Sequence, residues 1–261
     1  MNESGESNAL IVQKQNIGAD MMTAVEEIKD AKKVFSYLEV EDQNQFAISW
    51  TDSKGILTEP LERVKRSDNR EYANYKDQRV IDLLNSDSKE ILTRVKVVQV
   101  DPECLTHPAV YCCTPEERVQ ALVAMRKFKK LEPVVEMGGE VVTEEEADEI
   151  SSSRYLQTFF FDDDLQSHVL INGEKSFGGA INDNWAPSPL PKREPNVGTP
   201  KVIWYRKRPH VVLFATKAIA EGEEIISEYG PKYWQVMWKQ IMIKHELFCE
   251  DMRKKIERFK Q

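Results

Sequence analysis

The sequence predicts a mainly β protein with a few helices, of the α+β class, and three observations carry that expectation. Apolar residues alternate with small or polar ones up to Trp50, as in a strand with one buried face. Two segments in the second half repeat one strand–turn–strand template, and the last stretch places apolar residues at helical spacing.

Residues 1–20 are polar and aperiodic, which predicts a flexible tail. Further on, Phe46, Ile48 and Trp50 alternate with Ala47 and Ser49. Asp52, Ser53, Lys54 and Gly55 then supply turn residues before Ile56 and Leu57, so a hairpin is expected. The run Tyr75 to Asn85 predicts a helix, and together these elements make residues 31–95 a candidate small β module. The module faintly resembles a chromo-like reader. That resemblance implies that Phe35, Tyr37 and Trp50 cage a methylated ammonium by cation–π attraction. Packing into a core is the preferred reading of the same three aromatics.

Residues 96–235 form the expected main domain. Within it, Ala124 to Val135 and Ala215 to Ile226 share one pattern. A strand ends at Ala, a basic and an apolar residue occupy matching turn positions, a Glu follows, and a second apolar strand begins. Two similar hairpins are implied. From Trp234 onward, apolar residues recur at 238, 241, 248, 252, 256 and 259, which predicts an amphipathic helix over 236–261 packing back on the domain.

Composition narrows the function classes. With 41% apolar and 31% charged residues, and no apolar run near the ~18 residues of a membrane span, the chain is expected neither to cross nor to bind a membrane. The N-terminus lacks a basic segment leading into an apolar stretch, so an intracellular location is expected, in the nucleus or the cytoplasm with the nucleus slightly favoured. The cysteines Cys104, Cys112, Cys113 and Cys249 form no CxxC pair and are expected to be free thiols, with no metal site. A formal net charge of −8 argues against binding nucleic-acid phosphates and suits a basic protein partner.

The main domain's motifs, in order, are similar to those of the SET domain family. The early strand, basic turn and Glu of that family correspond to Leu122 to Ala124, Arg126 and Glu132, followed by Val134 to Val142. The motif N-H-S-C-x-P-N is similar to Ile181-Asn182-Asp183-Asn184-Trp185 with Pro195-Asn196. The closing motif F-A-x-R-x-I-x-x-G-E-E-L-x-x-D-Y-G resembles Phe214 to Gly230 nearly position for position.

The resemblance implies a β-clip of small sheets with knot-like C-terminal threading supported by Asn196. It also implies an S-adenosylmethionine-dependent methyltransferase acting on a lysine of a basic protein or peptide, such as a histone tail. A catalytically silent SET-fold binding or scaffold module is the alternative. Tyr229 matches the catalytic tyrosine. Asn182, Asp183, Trp234 and Arg118 match cofactor-binding positions. Tyr155, Ser227, Asp162 and Asp163 fall where the substrate channel and its peptide groove are expected. Ser227 stands where the family commonly has Phe or Tyr, and its small side chain implies room for a bulkier methylated amine. The sequence departs from the family pattern at four further places: Arg118 to Ala121 contains no glycine, Gly179 replaces an arginine, Asp183 replaces a histidine, and Lys175-Ser176 replaces a G-N pair.

Overall fold

The computed structural model describes residues 35–52, 55–56, 76–104, 106–112, 119–150, 155–160, 168–184, 190–206, 208–230 and 233–234. Four small sheets carry the fold. Strands β1 (Tyr37–Glu39), β4 (Val95–Val100) and β5 (Gln120–Ala124) form the first, antiparallel and in the order β1-β4-β5. The second joins β2 (Trp50–Asp52), β3 (Gly55–Ile56), β7 (Gly139–Val142), β8 (Leu156–Phe160) and β9 (His168–Asn172) in the order β3-β2-β7-β9-β8. Strands β6 (Pro133–Glu136), β11 (Lys201–Tyr205) and β12 (Arg208–Phe214) make the third, and β10 (Asn182–Asp183) pairs in parallel with β13 (Ile226–Ser227) in the fourth.

Among the described residues, three short α-helices interrupt the strands, each started by a side chain that satisfies an otherwise unbonded N–H. Asp77 caps α1 (Gln78–Asn85), while Asp87 with Glu90 and Thr143 with Glu146 form capping boxes on α2 (Ser88–Leu92) and α3 (Glu144–Glu149). Helix α1, expected from the sequence, buries Val80 and Leu83 against the core. Tyr233 and Trp234 are helical, and the remainder of the helix expected over 236–261 lies outside the described residues, as does the expected tail at 1–20. Among the described residues no helix is long and apolar enough to cross a membrane.

Strands β4 and β5 separate two cores, which explains their nearly unbroken apolar sequences. Val95, Val97, Leu122 and Ala124 face one core with Phe128, Phe177 and Leu213; Val98, Val100, Ala121 and Val123 face the other with Val119 and Leu190. A sheet covered on both faces needs apolar residues at successive positions instead of alternate ones.

The hairpin expected from Trp50 to Ile56 is present, with Thr51 opposite Ile56 and Asp52 opposite Gly55. Strand β2 runs parallel to β7 and β1 pairs with β4, so the N-terminal strands join sheets shared with later residues. The three candidate cage aromatics pack on two different cores. Trp50 is 2% exposed and donates its indole N–H to Met137 O at 2.9 Å, and Phe35 and Tyr37 pack on the second core. Burying the indole favours packing because its one polar atom finds a carbonyl there.

The two similar hairpins pair with one another about a pseudo-twofold axis between Phe128 and Ile219. Each of these two residues donates its N–H to the other's carbonyl at 3.0 Å. Two further bonds on each side have a twin. Ala124 N–H donates to Glu223 O and Ala215 N–H to Glu132 O, both at 2.9 Å. Gly222 N–H donates to Ala124 O and Leu131 N–H to Ala215 O, both at 2.8 Å. The two matching glutamates brace the turns, Glu132 accepting from Lys129 N–H at 2.8 Å and Glu223 from Ala220 N–H at 2.9 Å.

One equivalent pair breaks the chemical symmetry. Gly222 takes φ +80° where its counterpart Leu131 takes φ 66°, in the left-handed region that glycine tolerates and a Cβ opposes. Leu131 is 61% exposed, so its side chain gains little from burial. Leu131→Gly is therefore expected to stabilise the fold by about 0.5–1 kcal/mol, read as a raised urea midpoint at constant slope; a lowered midpoint would refute the strain.

Candidate functional site

Parallel pairing of β10 with β13 sets Asn182 opposite Ile226 and Asp183 opposite Ser227, and Asn184 N–H extends the ladder to Ser227 O at 2.7 Å. This pairing brings the central and closing motifs together. They border a cavity of about 310 Å³ whose wall includes Asn182, Asp183, Ser227, Tyr229, Trp234 and Tyr155. Six of the residues expected from the sequence therefore share one cavity. Arg118, Asp162 and Asp163 lie outside the described residues. Asn196 is not on the wall; it is wholly buried behind the closing motif.

Asp183 ties the aromatic side of the cavity together. Its carboxylate accepts the Trp234 indole N–H through one oxygen and the Tyr229 backbone N–H, at 3.4 Å, through the other. The Tyr229 hydroxyl donates to Ile181 O. Tyr229 and Trp234 have nearly parallel rings, and Tyr233 meets both edge-on at 4.7 and 5.0 Å between ring centroids. An acid at this position, where the family has histidine, thus anchors both the tyrosine and the first turn of the following helix.

Behind Asn182 lies a buried polar hub. Glu224 accepts from Asn182 Nδ2 through Oε1 at 2.9 Å, and through Oε2 from Tyr37 Oη at 3.1 Å, His107 Nε2 at 3.0 Å and Arg193 Nη1 at 2.5 Å. Ala109 N–H donates to His107 Nδ1, so Nε2 is the ring nitrogen that carries the proton toward Glu224. Burial by itself would raise the carboxyl's pKa, but the interactions with His107 and Arg193 outweigh it and hold Glu224 well below the usual carboxylate range. Burial, then the neighbouring Glu224 carboxylate, pushes the Tyr37 phenol above its ordinary value.

The departures from the family pattern have a local explanation. Ser176 Oγ donates to Gly173 O at 3.0 Å and accepts from Gly179 N–H at 2.9 Å, closing a tight buried turn. A Cβ on Gly179 would lie 1.8 Å from Gly173 O, so an arginine has no room there. Where the family has a glycine-rich loop, Val119 and Gln120 contribute side chains to the cavity wall. The Gln120 side-chain oxygen is buried and finds no hydrogen-bond partner among the described residues.

Sequence reasoning missed Gln120, Met137, Leu213 and Tyr233, all on the wall. Gln120 carried a signal, being the polar residue in the otherwise apolar run from Val119 to Ala124. Met137 and Leu213 carried none, because nothing distinguishes them from core residues.

Comparison with protein families finds the SET domain model matching residues 120–230. Among curated proteins, none matches. Among solved structures, one of apo ctPRC2 bearing two mutations in Ezh2 is similar at 20% identity, over 45% of this chain and 14% of that one. Its TM-score is 0.35, a likeness too slight to bear on the fold or chemistry of this chain.

Proposed function

With residues 120–230 forming a SET domain, we propose that the cavity is a methyl-transfer site, where a lysine of a basic protein receives a methyl group from S-adenosylmethionine. The observation that carries this reading is the convergence of Asn182, Asp183, Ser227, Tyr229, Trp234 and Tyr155, from three separate stretches of sequence, on one wall.

The donor set fits the cofactor. That molecule carries a sulfonium, an ammonium and a purine amine, and the cavity offers the Asp183 carboxylate, the Asn182 carboxamide and the aromatic side chains of Tyr233 and Trp234. Asn182, Gln120, Asp183 and Trp234 would hold it, and Arg118 joins them on sequence grounds alone. When bound, it supplies an electrophilic methyl group on sulfur.

The chain's own residues handle the amine. A lysine with a reference pKa of about 10.4 must shed its proton, and an apolar wall of Met137, Ile181 and Leu213 disfavours the charged form. The Tyr229 hydroxyl, tethered to Ile181 O, orients the neutral amine, while Tyr155 and Ser227 border the same space. The acidic pair Asp162 and Asp163 attracts the basic peptide, a histone tail being the substrate class that suits the overall charge. Such a substrate fits a nuclear location.

A second reading, a silent SET-fold binding module, is favoured by Val119 and Gln120, whose side chains occupy wall that glycines would leave open. Calorimetric titration with S-adenosylmethionine separates the two. Binding at the micromolar level, weakened roughly tenfold in Asn182→Ala but still measurable, and unchanged in Tyr229→Phe, supports the enzyme. No heat at several temperatures from folded protein leaves the binding module.

A further inference from the structure

We infer that Glu224 is a positioning residue that makes Asn182 present its side-chain oxygen, and not its NH2 group, to the cavity. The inference rests on reading that cavity as the S-adenosylmethionine site. Asn182 Nδ2 donates to Gln120 O and to Glu224 Oε1, both at 2.9 Å. Both partners are acceptors only, so both amide hydrogens are committed and the carboxamide has one permitted orientation. Oδ1 is the atom left for the cavity that Asn182 lines. With the Asp183 carboxylate it makes this polar wall rich in acceptors, suited to a hydrogen-donating ligand.

The hub explains why a carboxylate is needed. Tyr37, His107 and Arg193 direct three donors at Oε2, so that oxygen cannot be exchanged for an NH2 group. In Glu224→Gln the amide oxygen stays with those donors and the new NH2 faces Asn182. Two NH2 groups cannot bond to each other, so the bond from Asn182 to residue 224 is lost and only Gln120 O still holds its NH2. The substitution keeps the shape of residue 224 and releases the orientation of residue 182, so that its NH2 can reach the cavity.

Two measurements test this. By NMR, both Asn182 side-chain amide protons are expected to be protected from exchange in the wild type and to lose protection in Glu224→Gln. Fast exchange of both in the wild type, or unchanged protection in the variant, overturns the inference whether or not the cofactor binds. By calorimetry, Glu224→Gln is expected to weaken S-adenosylmethionine binding by roughly tenfold or more in the wild-type background, and by less than about twofold in Asn182→Ala. An equal loss in both backgrounds means that Glu224 acts through general stability, and overturns the positioning role. A wild type that binds no cofactor defeats the functional reading alone, since the exchange data still report the amide.

Discussion

Tyr229→Phe is expected to lower the rate of methyl transfer by about 10²–10³-fold while leaving S-adenosylmethionine affinity within roughly twofold of wild type. The phenol is a group placed for the reaction more than for the fold. Tyr229 is 39% exposed, its ring faces Trp234 and Tyr233, and its hydroxyl is fixed by Ile181 O. Phenylalanine keeps the ring contacts, the backbone bond to Asp183 and the burial, and removes the one polar atom that can orient an incoming amine. Single-turnover kinetics on a lysine-rich peptide, beside calorimetry for the cofactor, separates the two effects. An unchanged rate would exclude the tyrosine from the chemistry; equal losses in rate and affinity would show that it shapes the cofactor site instead.

Asn196→Ala is expected to cost about 3–5 kcal/mol, a large share of the ~5–15 kcal/mol that holds a typical domain together. Asn196 is wholly buried, and both its side-chain N–H groups and its side-chain oxygen bond to the closing motif. Nδ2 donates to Glu224 O at 2.7 Å and to Glu223 Oε1 at 3.1 Å, and Oδ1 accepts from Ile226 N–H at 2.8 Å. Its own N–H and that of Val197 both reach Ile226 O. Truncation strands a buried carbonyl and a buried N–H, each costing about 1–3 kcal/mol. Urea denaturation of the whole chain reads the loss directly, and a change under 1 kcal/mol would mean that water or a backbone shift replaces these bonds.

The closing motif was the most legible part of the sequence, because the turn from Ala215 to Glu223 needs a left-handed residue and a glutamate at fixed spacing. The same needs made the earlier hairpin recognisable even though Leu131 stands where glycine is easier. Which strands those hairpins would bond to was not legible. A shared template reports local turn chemistry and is silent on register between distant segments, and the strand at Trp50 shows the same limit. The alternation from Phe46 to Trp50 revealed a buried face, while the strand that bonds to it lies far along the chain at Gly139 to Glu140.

Within the site, residues of unusual type for their setting were readable, such as Asp183, Tyr229 and Trp234. Glu224 was hidden because a charged residue after Gly-Glu in a turn reads as solvated. Only the convergence of Tyr37, His107, Asn182 and Arg193 on it shows that it is buried.

The reciprocal pairing of the two hairpins also bears on how the chain reaches this structure. Neither hairpin completes its backbone bonding alone, since Ala124, Phe128 and Leu131 find partners only at Glu223, Ile219 and Ala215. Those bonds must wait until β7 to β11 are placed between them, so loop-closure entropy is spent before the contacts repay it. Refolding should therefore be slow and cooperative, with the pseudo-twofold interface forming late. Until it forms, Leu122, Val123 and Ile225 keep apolar surface and unpaired strand edges open to other chains, a window in which concentration favours aggregation over folding.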